Sequence, residues 1–142
     1  MDGPLSGATE GHAMNDIVGT WRLIESRAHD GTGTPIAPSY GPEPMGLVMF
    51  HPGGRMMCVL QDSRRALPAG EPEREYVSYA GSYVYDGKIL TTRVDCTSDS
   101  PRMGTDQVRQ VSFEGERMLL QPPPRPQGGK TQHRELLWER IG

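Results

Sequence analysis

One arginine and two tyrosines carry most of the chemistry this sequence offers. Arg109 ends the run Gly104-Thr105-Asp106-Gln107-Val108-Arg109, which continues through Val111 and Phe113. Strand alternation turns its guanidinium to the same side as those apolar residues. A guanidinium placed there must meet a carboxylate, a carbonyl or a ligand anion to offset its desolvation. Two partners suit it: the carboxylate, enolate or polarised ketone of a bound molecule, or the carboxylate of Glu25. Tyr79 and Tyr83 share a face and add hydroxyls that can orient a ligand or donate a proton. In an enzyme, Tyr79 and Arg109 are the candidate catalytic pair, polarising a substrate held in one conformer. His51 has an ordinary pKa suited to acid–base work. Cys58 lies in an apolar run with no activating neighbour in the sequence. Met49, Met56, Met57, Met103 and Met118 offer an adaptable wall. Glu25, Met49, His51, Met56, Cys58, Tyr79, Tyr83, Arg109, Leu120 and Trp138 form the candidate ligand-binding set.

Other chemistries lack their residues. His12, His29, His51 and His133 show no paired spacing and Cys58 and Cys96 lie far apart, so no metal site is expected. With no Gly-rich phosphate loop, nucleophile elbow or dinucleotide fingerprint, no cofactor is expected either. The 15 basic residues are scattered among 18 acidic ones for a net charge of −3, which disfavours nucleic acid. No apolar run is long enough for membrane insertion or a secretory signal, so a cytoplasmic protein with two reduced, packed cysteines is the expectation.

The elements that would position these residues are strands. The 142-residue chain has the length of one domain, and its 18 Gly and 13 Pro point to many turns. Residues 1–15 read as a flexible leader and 16–142 as the folded domain. Ile17–Arg27 alternates with Trp21, Leu23 and Glu25 on one face. Gly31–Pro44 has no periodicity and is a long loop, a candidate lid. Met45–His51 and Arg55–Gln61 flank Pro52-Gly53-Gly54, a hairpin signal. There the set Leu47, Met49, His51, Met56, Cys58 and Leu60 is favoured for the interior, though Val48, Phe50, Met57 and Val59 are equally apolar. Asp62–Glu75 is a charged loop with room for a helical turn near Arg64, Arg65 and Leu67. Asp86-Gly87 reads as a two-residue turn that sets Tyr85 opposite Lys88 and places Val77, Tyr79, Gly81, Tyr83, Leu90, Thr92, Val94 and Cys96 on the apolar face. The turn around Gly115 joins Arg109, Val111 and Phe113 to the face of Met118 and Leu120. Residues 97–105 and 122–132 are loops, and His133–Ile141 is the last strand. About eight strands with short hairpins and almost no helix predict an all-β fold, an eight-stranded antiparallel up-and-down barrel, with a sandwich as the rival.

Six fragments in order carry a family likeness: Gly19-Thr20-Trp21-Arg22-Leu23, Tyr40-Gly41 with Gly46, Gly53-Gly54-Arg55-Met56, Tyr79-Ala80-Gly81-Ser82-Tyr83, Gly104-Thr105-Asp106-Gln107-Val108-Arg109, and Leu137-Trp138-Glu139-Arg140. On these the chain resembles the small lipocalin-like domain proteins of bacteria and fungi, over nearly all of Ile17–Gly142. The resemblance implies a calycin-type barrel around a ligand. It also implies that Trp21 seals the closed end, with Arg140 packed over its ring as a cation–π contact. Many relatives carry histidines on the strand after the Tyr-rich one, where this chain has Thr92 and Arg93, which argues against histidine chemistry at that place.

The expected function is binding of a small, largely apolar or amphipathic molecule inside the barrel, with an Arg/Tyr polar anchor. The alternative is a cofactor-free isomerase or cyclase of specialised, polyketide- or terpenoid-like metabolism, for which a shaped, polarising cavity suffices. A homodimer is compatible with either.

Overall fold

The structure, a computed structural model, describes residues 17–71 and 73–142; the predicted leader lies outside them. Nine strands follow one another: β1 (Gly19–His29), β2 (Pro44–Phe50), β3 (Arg55–Asp62), β4 (Tyr76–Tyr85), β5 (Ile89–Thr97), β6 (Asp106–Glu114), β7 (Arg117–Gln121), β8 (Arg125–Gln127) and β9 (Lys130–Arg140). The only helical piece among the described residues is a 3₁₀ turn at Ser100–Arg102, and the turn predicted near Arg64 is irregular. All pairings are antiparallel. Because β9 pairs with β1 as well as with β7, eight strands close into a ring, which decides for the barrel against the sandwich. The ninth, β8, stands outside the ring. It folds back on the start of β9 through Gly128-Gly129, both at positive φ, within what the sequence presents as a loop.

Turn chemistry sets the registers. Glu114 opposes Arg117 across Gly115, whose φ is 65°, so Val111 faces Leu120 and Phe113 faces Met118 as predicted. At the β4–β5 turn, the Asp86 carboxylate accepts the backbone N–H groups of Lys88 (2.8 Å) and Ile89 (2.7 Å). Asp86 therefore pairs with Ile89, and Tyr85 opposes Leu90 instead of Lys88. A slip of two residues leaves Val77, Tyr79, Gly81, Leu90, Thr92 and Val94 on their predicted face.

Odd insertions do the opposite, and there are three. The β2–β3 hairpin has a three-residue turn: His51 N–H donates to the Arg55 carbonyl (2.8 Å) around Pro52-Gly53-Gly54, with Gly54 at φ 93°. Val48 opposes Cys58 and Phe50 opposes Met56 inside the barrel. Leu47, Met49 and His51 consequently point outward, which corrects the favoured half of the β2 prediction while upholding that for β3. In β1 a bulge between Leu23 and Glu25 puts Trp21, Leu23 and then Ser26 on the inner side. Glu25 is turned out and pairs with Arg27 at 3.1 Å, so it is not the inner carboxylate the alternation suggested. In β5 the pairs Ala80–Cys96 and Gly81–Val94 leave Asp95 as the extra residue, and Cys96 becomes an exposed free thiol instead of a packed one.

One end of the barrel is sealed. Trp21 is 1% exposed, its indole N–H donates to the Ile17 carbonyl (2.9 Å), and the Arg140 guanidinium carbon lies 4.3 Å from its ring centroid. Arg140 also donates to the Val18 carbonyl. Gly19 is at φ 133°, where a Cβ would lie 2.6 Å from Arg140 Nη1, so the Gly-x-Trp spacing is required by both backbone and space.

Candidate functional site

From the middle of the barrel to the opposite end, inward residues of six strands and three connecting segments enclose a pocket. Its apolar wall comes from Leu60 and Val77 on one side and Leu120, Leu136 and Trp138 on the other. Cys58, Tyr79 and Arg109 stand among them, and Ser39, Tyr40, Arg102 and Arg134 close it from above. The enclosed space is only about 30 Å³, room for about one or two waters. A polar vestibule of about 320 Å³ lies over it and shares Ser39, Tyr40, Val77, Arg102 and Arg134 with it. The guanidiniums thus occupy the volume into which a larger guest would reach.

Of the candidate ligand-binding set, Cys58, Tyr79, Arg109, Leu120 and Trp138 come together on this pocket. Met56 is buried in the core but does not line it, and Tyr83 sits nearer the sealed end, its ring edge-on to Phe50 and its hydroxyl donating to the His51 carbonyl (2.9 Å). Met49 and His51 line an open groove on the outer wall, and Glu25 faces outward as well. Strand alternation offers Glu25 as one of two partners for Arg109. With it gone, Arg109 makes no ion pair among the described residues; its Nη1 donates to the Val108 carbonyl (2.9 Å).

The electrostatics follow from burial. Removal from water, reinforced by the nearby charge of Arg102, pulls Arg109 below the ordinary guanidinium range. Arg134 is pulled down to about 10, first by burial and then by Arg125 and Arg109. Tyr79, 8% exposed and in contact with Cys58 and Gln107, is pushed well above an ordinary phenol by burial, so it acts as a neutral hydrogen-bond donor and not as a base. Burial pushes the Cys58 thiol up to about 12, which makes it inert as a nucleophile at neutral pH. Arg102 is held in place: Nε donates to Asp99 (3.0 Å), Nη1 donates to Gln107, and its guanidinium carbon lies 5.7 Å from the Tyr79 ring centroid.

Reasoning from sequence missed Arg134, Arg102, Tyr40 and Gln107. Arg134 was within reach, since alternation back from Trp138 through Leu136 leads to it. Arg102 and Tyr40 lie on loops, whose placement no periodicity reports.

The long loop before β2 does contribute to the roof, and it does so under strain. Tyr40 is the one described non-glycine residue at positive φ, 67°, and its N–H donates to Glu75 Oε1 (2.8 Å). Ser63 N–H donates to the Glu43 carbonyl (2.9 Å), tying the same loop to the segment after β3. That segment is organised by Asp62, 3% exposed, which accepts Arg64 N–H (3.0 Å) and ion-pairs with Arg64 Nη2 (2.6 Å). Hydrogen bonds from Arg64 hold its carboxyl down at about 2. Because the folded pKa lies below the ordinary one, this contribution is full above the ordinary value of 3.8 and is lost as pH falls from there to about 2. Amide hydrogen exchange or limited proteolysis should show residues 62–75 and the roof opening across that acid window ahead of the strands; simultaneous opening of all strands would contradict a local latch.

A closed antiparallel barrel, sealed at one end by a Gly-x-Trp and holding a small inner pocket toward the other, defines the class of small pocket-bearing β-barrels. A model of the lipocalin-like domain matches residues 18–141, and the chain belongs to that family. Comparison with curated proteins and with solved structures found no match.

Proposed function

We propose that this protein binds a small, largely apolar organic molecule in the barrel, with Arg109 and Tyr79 as its polar anchor. The observation that carries the reading is Arg109: it lies on the inner side of β6 against an apolar wall, and the internal carboxylate that would have explained it faces the other way. Leu60, Val77, Leu120, Leu136 and Trp138 supply apolar contact, Arg109 a charge-assisted bond, and Tyr79 a neutral donor. The small enclosed volume requires the roof residues to move aside as the guest enters.

Native mass spectrometry of freshly purified protein, before and after denaturing release, tests for a retained molecule. With phenylacetate as a calorimetric probe, Arg109→Met should weaken binding by about tenfold or more, as loss of a hydrogen bond to a charged group implies, and Tyr79→Phe by a few-fold. Unchanged affinity in both variants would remove Arg109 and Tyr79 as anchors. Recovery of the retained molecule chemically altered after incubation would instead favour the isomerase or cyclase alternative.

A further inference from the structure

Two buried side-chain polar atoms among the described residues lack a partner, Arg134 Nε and Trp138 Nε1, and both residues line the same pocket. Both atoms are donors. Arg134 makes no ion pair among the described residues, and Arg109 bonds only to a backbone carbonyl next to it in sequence. Arg102, the third guanidinium on the pocket, is served by Asp99 and Gln107. Asp99 is thus the one carboxylate that ion-pairs with any of these three guanidiniums among the described residues, Glu73 and Glu75 lining the vestibule above without pairing to them, and both unmet buried side-chain atoms are donors. Isolated buried charge is costly unless something compensates it, and here the missing partner must be rich in acceptors and negative.

We propose that the molecule held by the barrel carries an oxyanion, carboxylate or phosphate, seated between Arg109 and Arg134, and that Arg134 is the residue that makes the site select for it. This rests on the reading that the barrel interior is the ligand site, and it narrows the guest to an acid. The planar forks of two arginines can each take two oxygens of such a group, and the Trp138 indole N–H offers one bond more. Two guanidiniums without a carboxylate favour a dianion over a monoanion. The Arg134 side chain, which makes no hydrogen bond among the described residues, is also the roof group freest to swing as the guest arrives.

The test is calorimetric titration of the full chain at low salt with four probes sharing one ring: phenylacetamide, phenylacetate, phenylsuccinate and phenyl phosphate. Each charged probe should bind about tenfold or more tighter than the amide, with the dianions ahead of phenylacetate, and whichever dianion binds more tightly separates dicarboxylate from phosphate recognition. Arg134→Met should cut the preference for charge by about tenfold and remove the advantage of the dianions, Arg109 alone remaining, while leaving the Tm of the unliganded protein unchanged or higher, because it removes an uncompensated charge; a merely structural arginine would lower it. Arg134→Lys, which keeps the charge and loses the fork, should restore part of the preference. Phenylacetamide binding as tightly as the acids would overturn the proposal and leave the barrel-pocket reading standing. Failure of all four probes to bind would overturn both.

Discussion

Replacing Trp21 by alanine is expected to cost about 3–5 kcal/mol of folding free energy, the range for truncating a buried large aromatic. The residue is 1% exposed, gives its indole N–H to the Ile17 carbonyl at 2.9 Å, and carries Arg140 over its ring at 4.3 Å. Truncation therefore leaves a cavity at the sealed end and an unanswered carbonyl, and strips Arg140 of the surface it covers. Against a typical domain stability of about 5–15 kcal/mol the loss is large. Thermal and urea unfolding should both register it, with Tm lowered by roughly 10 °C or more. Trp21→Phe, which refills much of the space without the N–H, should retain most of the stability. A loss under about 1 kcal/mol for the alanine variant would mean that the sealed end is held by something other than this ring.

Gly81→Ala should be nearly as damaging, for a reason confined to two backbones. A Cβ at position 81 would sit 2.0 Å from the Arg93 carbonyl oxygen and 3.1 Å from Thr92 Cγ2. No rotamer relieves a contact with a main chain, so β4 and β5 must separate or the bulge at Ala80–Gly81 must shift. The expected cost is about 3 kcal/mol, at the upper end of overpacking penalties. The damage should reach the pocket, because Tyr79 is two residues away on the same face and Asp95, the residue the bulge leaves over, forms the ion pair with Arg55 at 2.6 Å. Unfolding gives the first effect and phenylacetate affinity the second; an alanine variant with wild-type values for both would show that the strand pair yields without cost.

The legible and illegible parts of this chain differ by single residues. Trp21, Trp138, Arg140 and Arg109 were placed correctly because each belongs to a long alternating run or an unmistakable turn, where an error of two in register changes no face. The Asp86 hairpin shows this directly, since its pairing moved by two and its inner face survived. Glu25, Met49, His51 and Cys96 were misplaced because a three-residue turn and two bulges each add one residue, and one residue reverses a strand's faces. Outward and inward residues of β2 are alike in polarity, so composition could not arbitrate there. For the pocket, the walls were readable from periodicity, whereas the roof was not: Tyr40 and Arg102 arrive from loops, placed by Glu75 and Asp99 far from any repeating pattern.

Ring closure by β9 has a consequence for biosynthesis. The strand that joins β1 to β7 is made after all the others, so a nascent chain can complete its hairpins on the ribosome yet must wait with two raw borders, unable to shield either. Commitment to the native state then awaits the β1–β9 contact, which spans the whole barrel sequence and by its length in sequence slows folding.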